Sequence, residues 1–216
     1  MTIDLSQLDV ETRARQLGRL EGEIGLAIAE SLNVVNAGVH ERAFGALEAE
    51  TGSRILEVGF GNGHLVPKLL ALAGDLSYAG IDISETMVDE ATAFNKGAAV
   101  EFRVASSADI PFASSSFDRV LVLNTIYFWP DPSADLAEIR RVLRPGGRLV
   151  LGALAPSGAR SNPVFRHGFE FYEKDQLSHM CTAAGFWRIS IDVFNEVKEA
   201  AGGSRLAVDY YIVSAD

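Results

Sequence analysis

The sequence predicts an α/β fold built on a seven-stranded sheet, and three observations support this prediction. From Ser53 onward, short β-type runs alternate with helical runs, which is typical of a parallel sheet with helices on both faces. Two β-type runs, FWRISIDVF and SRLAVDYYIVSA, end the chain with no helix-length segment between them, so they should pair antiparallel. Before Gly52 only helical spacing occurs. We therefore expect a sheet that is parallel except for an antiparallel C-terminal strand, with an N-terminal helical cap.

The elements can be followed in order along the chain. Two amphipathic helices are predicted in the cap by apolar residues at helical spacing, which are Leu20, Ile24, Ile28 and Leu32, then Val39, Ala43 and Leu47. The earlier strands are predicted at RILEV, LSYAGIDI, VEFRVA, DRVLVLN and RLVLGAL. The helices are predicted at HLVPKLLALAG, SETMVDEATAFNKG, DPSADLAEIRRVL and EKDQLSHMCTAAG. Ser84 and Asp131 are suitable N-caps for two of these helices, and Pro132 suits a first turn.

We expect two parts, an N-terminal helical cap over residues 1–51 and a sheet domain over residues 52–216. The stretch APSGARSNP interrupts the strand and helix pattern after the fifth strand. It predicts a cap-like insertion at about residues 155–172. The connection of the terminal hairpin contains Gly202 and Gly203, which suit a turn.

Composition excludes several classes of protein. Hydrophobic residues make up 48% and charged residues 22% of the 216 residues, which is a globular balance. The formal charge of −10 disfavours attraction to phosphate backbones or anionic lipid, so we expect no nucleic-acid partner. Cys181 is the only cysteine, and neither a signal-peptide core nor a run of about 18 apolar residues occurs. These features predict a cytoplasmic protein without membrane insertion.

A glycine-rich turn is the first candidate functional motif. Gly59, Gly61 and Gly63 follow a β-type run and precede a helical one, where absent side chains let the backbone approach a nucleotide or nucleoside closely. Glycines also close turns for structural reasons alone. A nicotinamide-binding G-x-G-x-x-G motif would need glycine at position 64, which is His64 here. Asp82 ends the second β-type run, where a carboxylate can accept both hydrogen bonds of a ribose diol or cap the next helix.

Four segments occur in a characteristic order, ILEVGFGNG, YAGIDIS, VASSADIPFASSSFDRVLVLN and LRPGGRLVL. Together they resemble the motifs of class I S-adenosylmethionine-dependent methyltransferases, especially the small-molecule branch that includes ubiquinone and menaquinone biosynthesis enzymes. The resemblance covers most of Arg54 to Ser214. It implies a Rossmann-like fold and methyl transfer from S-adenosylmethionine to a small-molecule acceptor, with S-adenosylhomocysteine as product.

The resemblance also implies a set of cofactor-binding residues, namely Glu57, Gly59, Phe60, Gly61, Gly63, Asp82, Ile83, Ser106, Ser107 and Asn124. In this set, Glu57 would lie beneath the methionine amino group, and Gly59 to Gly61 would contact the methionine and ribose portions. Asp82 would bind the ribose hydroxyls and Ile83 would lie against the adenine face. Asn124 would approach the methionine end.

The adenine edge departs from the family pattern. The family commonly has Asp where this chain has Ser106. The resemblance places Ser106 and the backbone N–H of Ser107 at this edge, so adenine N6 would be held by the Ser106 hydroxyl or by nearby Asp109.

The acceptor pocket has weaker signals, and we assign no catalytic residue. Tyr127 and Trp129 follow the fourth strand and could wall an acceptor pocket, although such rings equally often pack against the following helix. His167 and Phe169 lie in the insertion, where His167 could act as a base or simply be exposed. No cluster has metal-ligand spacing, so we expect in-line displacement driven by proximity and without a metal.

Two alternatives to this enzyme stay open at this point. A non-catalytic cofactor-binding module could keep the fold and engage a protein partner through its N-terminal helices. A nicotinamide-dependent oxidoreductase is disfavoured by His64 and by the antiparallel end of the sheet.

Overall fold

A computed structural model of the chain describes residues 3–159, 162–199 and 205–216. The strands are β1 (Arg54–Val58), β2 (Ser77–Asp82), β3 (Val100–Val104), β4 (Phe117–Leu123), β5 (Leu143–Leu154), β6 (Ser190–Glu199) and β7 (Arg205–Ala215). The α-helices of these residues are α1 (Val10–Gly18), α2 (Gly22–Val35), α3 (Ala37–Ala46), α4 (Val66–Leu70), α5 (Glu85–Phe94), α6 (Pro132–Val142), α7 (Pro156–Ala159) and α8 (Lys174–Ala183). Short 3-10 helices span Leu5–Gln7, Ile126–Phe128 and Pro163–Arg166.

All seven strands form one sheet in the order β3-β2-β1-β4-β5-β7-β6. The strands from β3 to β5 pair parallel, whereas β7 pairs antiparallel with both β5 and β6. The predicted fold class is therefore confirmed, including the antiparallel terminal hairpin. The predicted Gly202-Gly203 connection lies outside the described residues. Strand order reverses between β1 and β4, which opens a crevice at the carboxyl ends of these strands.

The core lies where the central strands are buried on both faces. Ile55 and Leu56 of β1 are fully buried, as are Val120, Leu121 and Val122 of β4. Such continuous apolar runs are typical of parallel strands covered by helices on both sides. The central strands thus form a rigid base from which the strand ends project.

The N-terminal cap contains three α-helices rather than the predicted two. The sequence prediction missed α1, although Val10, Ala14 and Leu17 recur at helical spacing. This stripe is short, and only Ala14 of the helix is buried. Asp9 starts α1 by accepting a hydrogen bond from the Thr12 backbone N–H at 2.8 Å. The division between residues 51 and 52 stays a prediction.

The predicted helix starts are confirmed at α5 and α6. Ser84 accepts a hydrogen bond from the Met87 N–H at 3.2 Å, and Asp131 accepts from the N–H groups of Ser133 and Ala134. The helix predicted at HLVPKLLALAG is shorter than expected, because residues 63–65 form a turn and α4 ends at Leu70. No helix among the described residues is long and apolar enough to cross a bilayer.

The segment predicted as an insertion contains α7 and the 3-10 helix Pro163–Arg166, and residues 160–161 lie outside the described residues. Its aromatic side chains pack on the segment that follows β4. Phe169 lies 4.5 Å from Phe128 between ring centroids, and Phe171 lies 4.9 Å from Tyr127. The predicted insertion therefore supports the aromatic segment that follows β4, residues 127–129, from outside.

Ser84 joins the cap to the sheet domain, and its replacement should destabilise the protein. The hydroxyl of this fully buried residue caps α5 and also donates to the Leu20 carbonyl of the cap. We expect Ser84→Ala to lower the free energy of unfolding by about 2 kcal/mol, because one cap is lost and one carbonyl loses its donor.

Urea denaturation measures this effect, with exposed Ser31→Ala in α2 as the control that should change stability by less than about 0.5 kcal/mol. Equal stability of the two variants would show that Ser84 does not hold the cap.

Candidate functional site

A cavity of about 360 Å³ lies at the carboxyl ends of β1, β2 and β4, at the strand-order reversal. This volume is in the range of small-molecule sites. All the predicted cofactor residues except Gly63 line it. The cap closes the cavity from above through residues of α2, α3 and the connection between α1 and α2. The sheet and the cap therefore build the site together.

The turn after β1 places bare backbone against the cavity. Gly59, Gly61 and Gly63 all have positive φ, at 75°, 63° and 69°. A Cβ on Gly59 would lie 2.2 Å from Thr125 Cγ2, whereas a Cβ on Gly61 would have no atom within 4 Å. Gly63 instead packs against Ala91 of α5, where a Cβ would lie 2.5 Å from the Ala91 Cβ. Gly59 and Gly63 thus serve close packing, and Gly61 faces open space.

Asp82 ends β2 at the cavity wall. Its carboxylate accepts backbone N–H groups of Ser84 at 2.9 Å and Gly61 at 3.3 Å. The helix α5 is capped by Ser84 rather than by Asp82, so capping does not account for this carboxylate. Burial raises the pKa of Asp82 to about 6, against the opposing effect of these hydrogen bonds. An ionised Asp82 therefore gains from any hydroxyl groups that a ligand brings.

Glu57, on the adjoining strand, is the second buried carboxyl group of the cavity. Its side chain is 8% exposed and its Oε2 accepts the Tyr78 hydroxyl at 2.7 Å. Burial raises its pKa to about 7, the hydrogen bond from Tyr78 opposes this rise, and the charge of Asp82 adds to it. A cationic ligand group beside Glu57 would favour the ionised form.

Two polar atoms of the cavity wall are buried without a partner among the described residues. Asn62, 3% exposed, accepts the Asn33 side-chain N–H at 3.1 Å through Oδ1, but its Nδ2 has no acceptor. The Thr125 Oγ1 likewise lacks a partner. Buried polar atoms left in this way are costly. With two carboxyl groups and the open face of Gly61, they fit a polar ligand that carries both an amino group and a ribose diol, as S-adenosylmethionine does.

The predicted adenine side lies at the mouth of the cavity. Ile83 is 42% exposed, which leaves an apolar face free for stacking. Ser107 is buried and lines the cavity, and its side chain is occupied because its hydroxyl donates a hydrogen bond to Asp135. Ser106 lines the cavity, but exposed Asp109 does not. Of the two groups suggested for adenine N6, the structure brings only Ser106 to the site.

The predicted acceptor residues are not all brought together. Trp129 lines the cavity. Tyr127 does not, because its ring is buried and its hydroxyl accepts the Leu154 N–H while donating to Asn124 Oδ1 at 3.0 Å. Tyr127 therefore orients Asn124, which does line the cavity. Phe169 packs in the aromatic cluster outside, and His167 lines a separate surface depression beside Glu11.

Sequence reasoning missed the contribution of the cap. The cavity is also lined by Asn33, Asn36 and His40, and by Arg19 and Leu20 between α1 and α2. The available signal was the spacing of three and four residues between the two asparagines and the histidine, which places polar groups on one side of otherwise apolar helices. This side chain pattern could have indicated a polar cavity wall.

Comparisons with known proteins place this geometry in a family. The family model described as a methyltransferase domain matches residues 56–151. The uncharacterized methyltransferase YdaC of Bacillus subtilis is 32% identical over 144 residues, which cover 67% of this chain and 77% of YdaC. The 27-O-demethylrifamycin SV methyltransferase of Amycolatopsis mediterranei is 38% identical over 125 residues, and the matched region covers 55% of this chain and 46% of that protein.

A solved structure shares the fold. The S-adenosylmethionine-dependent methyltransferase of Thermotoga maritima has a TM-score of 0.65 at 20% identity, over 88% of this chain and 94% of that one. The sequence relatives and the matched domain both indicate a methyltransferase, and the cavity agrees with this. The chain belongs to the S-adenosylmethionine-dependent methyltransferases, and its cofactor is S-adenosylmethionine.

Proposed function

We propose that this enzyme methylates a small-molecule acceptor by in-line displacement, driven by proximity and without a metal. One observation carries the proposal: a single covered cavity contains the carboxyl groups of Glu57 and Asp82, the open backbone of Gly61, and an aromatic wall. When bound, S-adenosylmethionine supplies a methyl group that its sulfonium already activates. The protein then has to hold and orient the cofactor and the acceptor, and it has to exclude water.

The cofactor would be held by the residues at the strand ends. Glu57 would bind the methionine amino group and Asp82 the ribose hydroxyls, because these carboxyl groups lie on adjoining strands that pair in register. The backbone of Gly59 to Gly61 would run along the ligand. Gly63 would support this turn through its contact with α5.

The rest of the cofactor would lie against the neighbouring strand ends. Ile83 would lie on the adenine face, and Ser106 and Ser107 would border the adenine edge. Asn124, oriented by Tyr127, would hold the methionine end.

The part of the cavity wall that is not assigned to the cofactor is mainly apolar. It is lined by Leu17, Leu20, Leu32, Phe128, Trp129 and Pro130. Such a wall excludes water and suits an acceptor with apolar or aromatic surface. The cap covers the cavity, so a small molecule fits better than a macromolecule. The similarity to the 27-O-demethylrifamycin SV methyltransferase of Amycolatopsis mediterranei supports this class of acceptor.

Four further points belong to the proposal. Transfer by proximity requires no metal ion, so the proposal includes no metal site. The formal charge of −10 supports the exclusion of nucleic acid as a partner. Buried Cys181 and the absence of other cysteines support a cytoplasmic location. The named methyltransferases among the relatives favour an enzyme over a non-catalytic binding module.

Replacement of Asp82 tests the cofactor site directly. We expect Asp82→Ala to weaken binding of S-adenosylhomocysteine by about 10- to 100-fold in titration calorimetry, because a charged acceptor for the ribose diol is lost. Asp109→Ala, a change at an exposed aspartate outside the cavity, is the matched control and should bind normally. Unchanged affinity in Asp82→Ala would overturn the proposed ribose contact, and no binding by the native protein would overturn the proposed function.

Replacement of Gly61 offers a test that separates backbone strain from the effect of a ligand bound against this residue. Gly61 and Gly97 both have positive φ, and a Cβ on either would meet no atom within 4 Å, but only Gly61 lines the cavity. Both Gly61→Ala and Gly97→Ala should lower the unfolding free energy by about 1 kcal/mol, from backbone strain alone.

Only Gly61→Ala should weaken S-adenosylhomocysteine binding, by about tenfold or more, because its methyl group takes up space that the ligand needs. Equal affinities of these two variants in calorimetry would argue that no ligand lies against Gly61.

Glu57 should trade stability for binding. Its pKa is raised from an ordinary 4.5 to about 7. At pH values between these two, the folded protein keeps a proton on Glu57 that the unfolded chain has already lost. The ligand-free protein therefore loses stability as pH rises through this interval. Glu57→Gln removes this loss and still can accept the Tyr78 hydrogen bond. Thermal unfolding at about pH 8 should show the variant more stable than the native protein, with the difference vanishing near about pH 4.

The same variant should bind the cofactor product at least about tenfold more weakly, because the carboxylate partner of the amino group is gone. In the native protein, affinity should fall as pH drops below about 7, since Glu57 must lose its proton on binding. This dependence should be weaker in Glu57→Gln. A variant that is no more stable at high pH, or that binds as tightly as the native protein, would contradict the role of Glu57.

A further inference from the structure

Two ionisable side chains of the cavity, Arg19 and His40, have no role in holding the cofactor. The ionisable residues among the described lining are Arg19, His40, Glu57 and Asp82. Both carboxyl groups serve the cofactor in the proposed function, and a guanidinium stays protonated at every relevant pH. His40 is therefore the lining residue whose side chain carries an imidazole nitrogen, a group that can accept a proton from a substrate.

His40 lies on the side of the cavity where methyl transfer would occur. Its helix, α3, contacts β5 and β7. The neighbouring Val39 side chain lies 3.1 Å from the Cβ position of Gly152, whose carbonyl accepts the Asn124 N–H at 2.9 Å. Asn124 follows β4, whereas Asp82 ends β2 on the other side of β1. With the ribose at Asp82, the methionine end points toward Asn124 and His40.

We propose that His40 is the catalytic base of this enzyme and that the acceptor carries an ionisable hydroxyl of the phenol or enol class. This inference rests on the proposed function and deepens it. The acceptor hydroxyl gives its proton to the unprotonated imidazole nitrogen while its oxygen forms a bond to the methyl carbon. The carbon–sulfur bond breaks, and its electron pair stays on sulfur, which becomes a neutral thioether. The imidazolium then releases the proton to water.

The charges of the cavity favour a hydroxyl over an amine. An amine acceptor would enter as an ammonium ion, beside the positive sulfonium of the cofactor. No carboxyl group of the described lining is left to receive it, since Glu57 and Asp82 are both engaged. A neutral phenol or enol avoids this repulsion, and its apolar ring suits the wall that Phe128 and Trp129 provide.

The surroundings of His40 include polar and charged groups from several elements. Asn36, one turn earlier, is buried and lines the same cavity, and the Phe44 ring lies 6.3 Å from the imidazole between centroids. Besides Glu41 and Arg42 on α3 itself, the described titratable and charged side chains of the elements packed against it are Glu23 and Glu30 on α2, Arg144 and Arg148 on β5, and Asp209, Tyr210 and Tyr211 on β7. Glu196 of β6 lies beside Gly38 of the same helix, and Arg19, Glu57 and Asp82 lie across the cavity.

The first experiment reads the imidazole without any acceptor. Side-chain ¹⁵N chemical shifts report the ratio of imidazolium to imidazole for each histidine at a fixed, near-neutral pH. The sulfonium of S-adenosylmethionine is cationic and S-adenosylhomocysteine is neutral there. A unit charge about 10 Å away changes this ratio by about 2- to 15-fold over the plausible range of dielectric.

We expect the imidazolium-to-imidazole ratio of His40 to be lower with S-adenosylmethionine than with S-adenosylhomocysteine, by a factor in that range. His64, His167 and His179 do not line the cavity and serve as internal controls that should respond equally to both ligands. His40→Gln identifies the His40 signal. Equal His40 signals in the two complexes would overturn the inference while leaving the cofactor site intact. Failure of both ligands to bind would overturn the proposed function as well.

The second experiment tests the base in turnover. With 4-nitrophenol and unactivated phenols as probes, His40→Gln should lower kcat by about 100-fold or more while S-adenosylhomocysteine affinity and thermal stability stay native. The difference in kcat between the native protein and His40→Gln should narrow as pH rises, because the phenol then ionises by itself. A merely structural role of His40 would not produce this pH dependence. A deficit that does not change with pH would overturn the role of His40 as base. Methylation of amines but of no phenol would overturn the acceptor class.

Discussion

The burial of two carboxyl groups at adjoining strand ends is the constraint on which the site depends. Glu57 on β1 and Asp82 on β2 sit where parallel strands stop, so neither can move away from the other without disturbing the sheet. Burial raises the pKa of both groups, and their mutual repulsion adds to the rise at Glu57. In the proposed function, a ligand with an amino group and a diol would relieve this unfavourable arrangement.

The helical cap makes this arrangement possible by limiting access of water. Ser84 donates to the Leu20 carbonyl, the Gly22 N–H donates to Thr86 at 3.1 Å, and Asn33 donates to Asn62. These bonds fasten the cap to the two turns that follow β1 and β2. Burial between cap and sheet strengthens the repulsion between the charges of Glu57 and Asp82. Cap and sheet therefore contribute to one electrostatic environment.

The aromatic segment after β4 combines support and lining. Tyr127 is buried and orients Asn124, while Trp129 lines the cavity. The insertion packs Phe169 and Phe171 against this segment from outside. Side chains that neighbour one another in sequence thus have different roles, because a 3-10 helix turns successive residues toward different surroundings.

The sequence by itself determined the fold class, the glycine turn and the two carboxyl groups. Strand and helix periodicity are local, and the carboxyl ends of parallel strands necessarily meet at one edge of a sheet. Only the tertiary structure decided which side chains the cap brings to that edge. His40 enters the cavity and His167 does not, because the packing of α3 on β5 and β7 decides which side of the cap faces the strand ends. Helix α1 escaped prediction although Val10, Ala14 and Leu17 recur at helical spacing, because this short stripe lies among polar and charged residues.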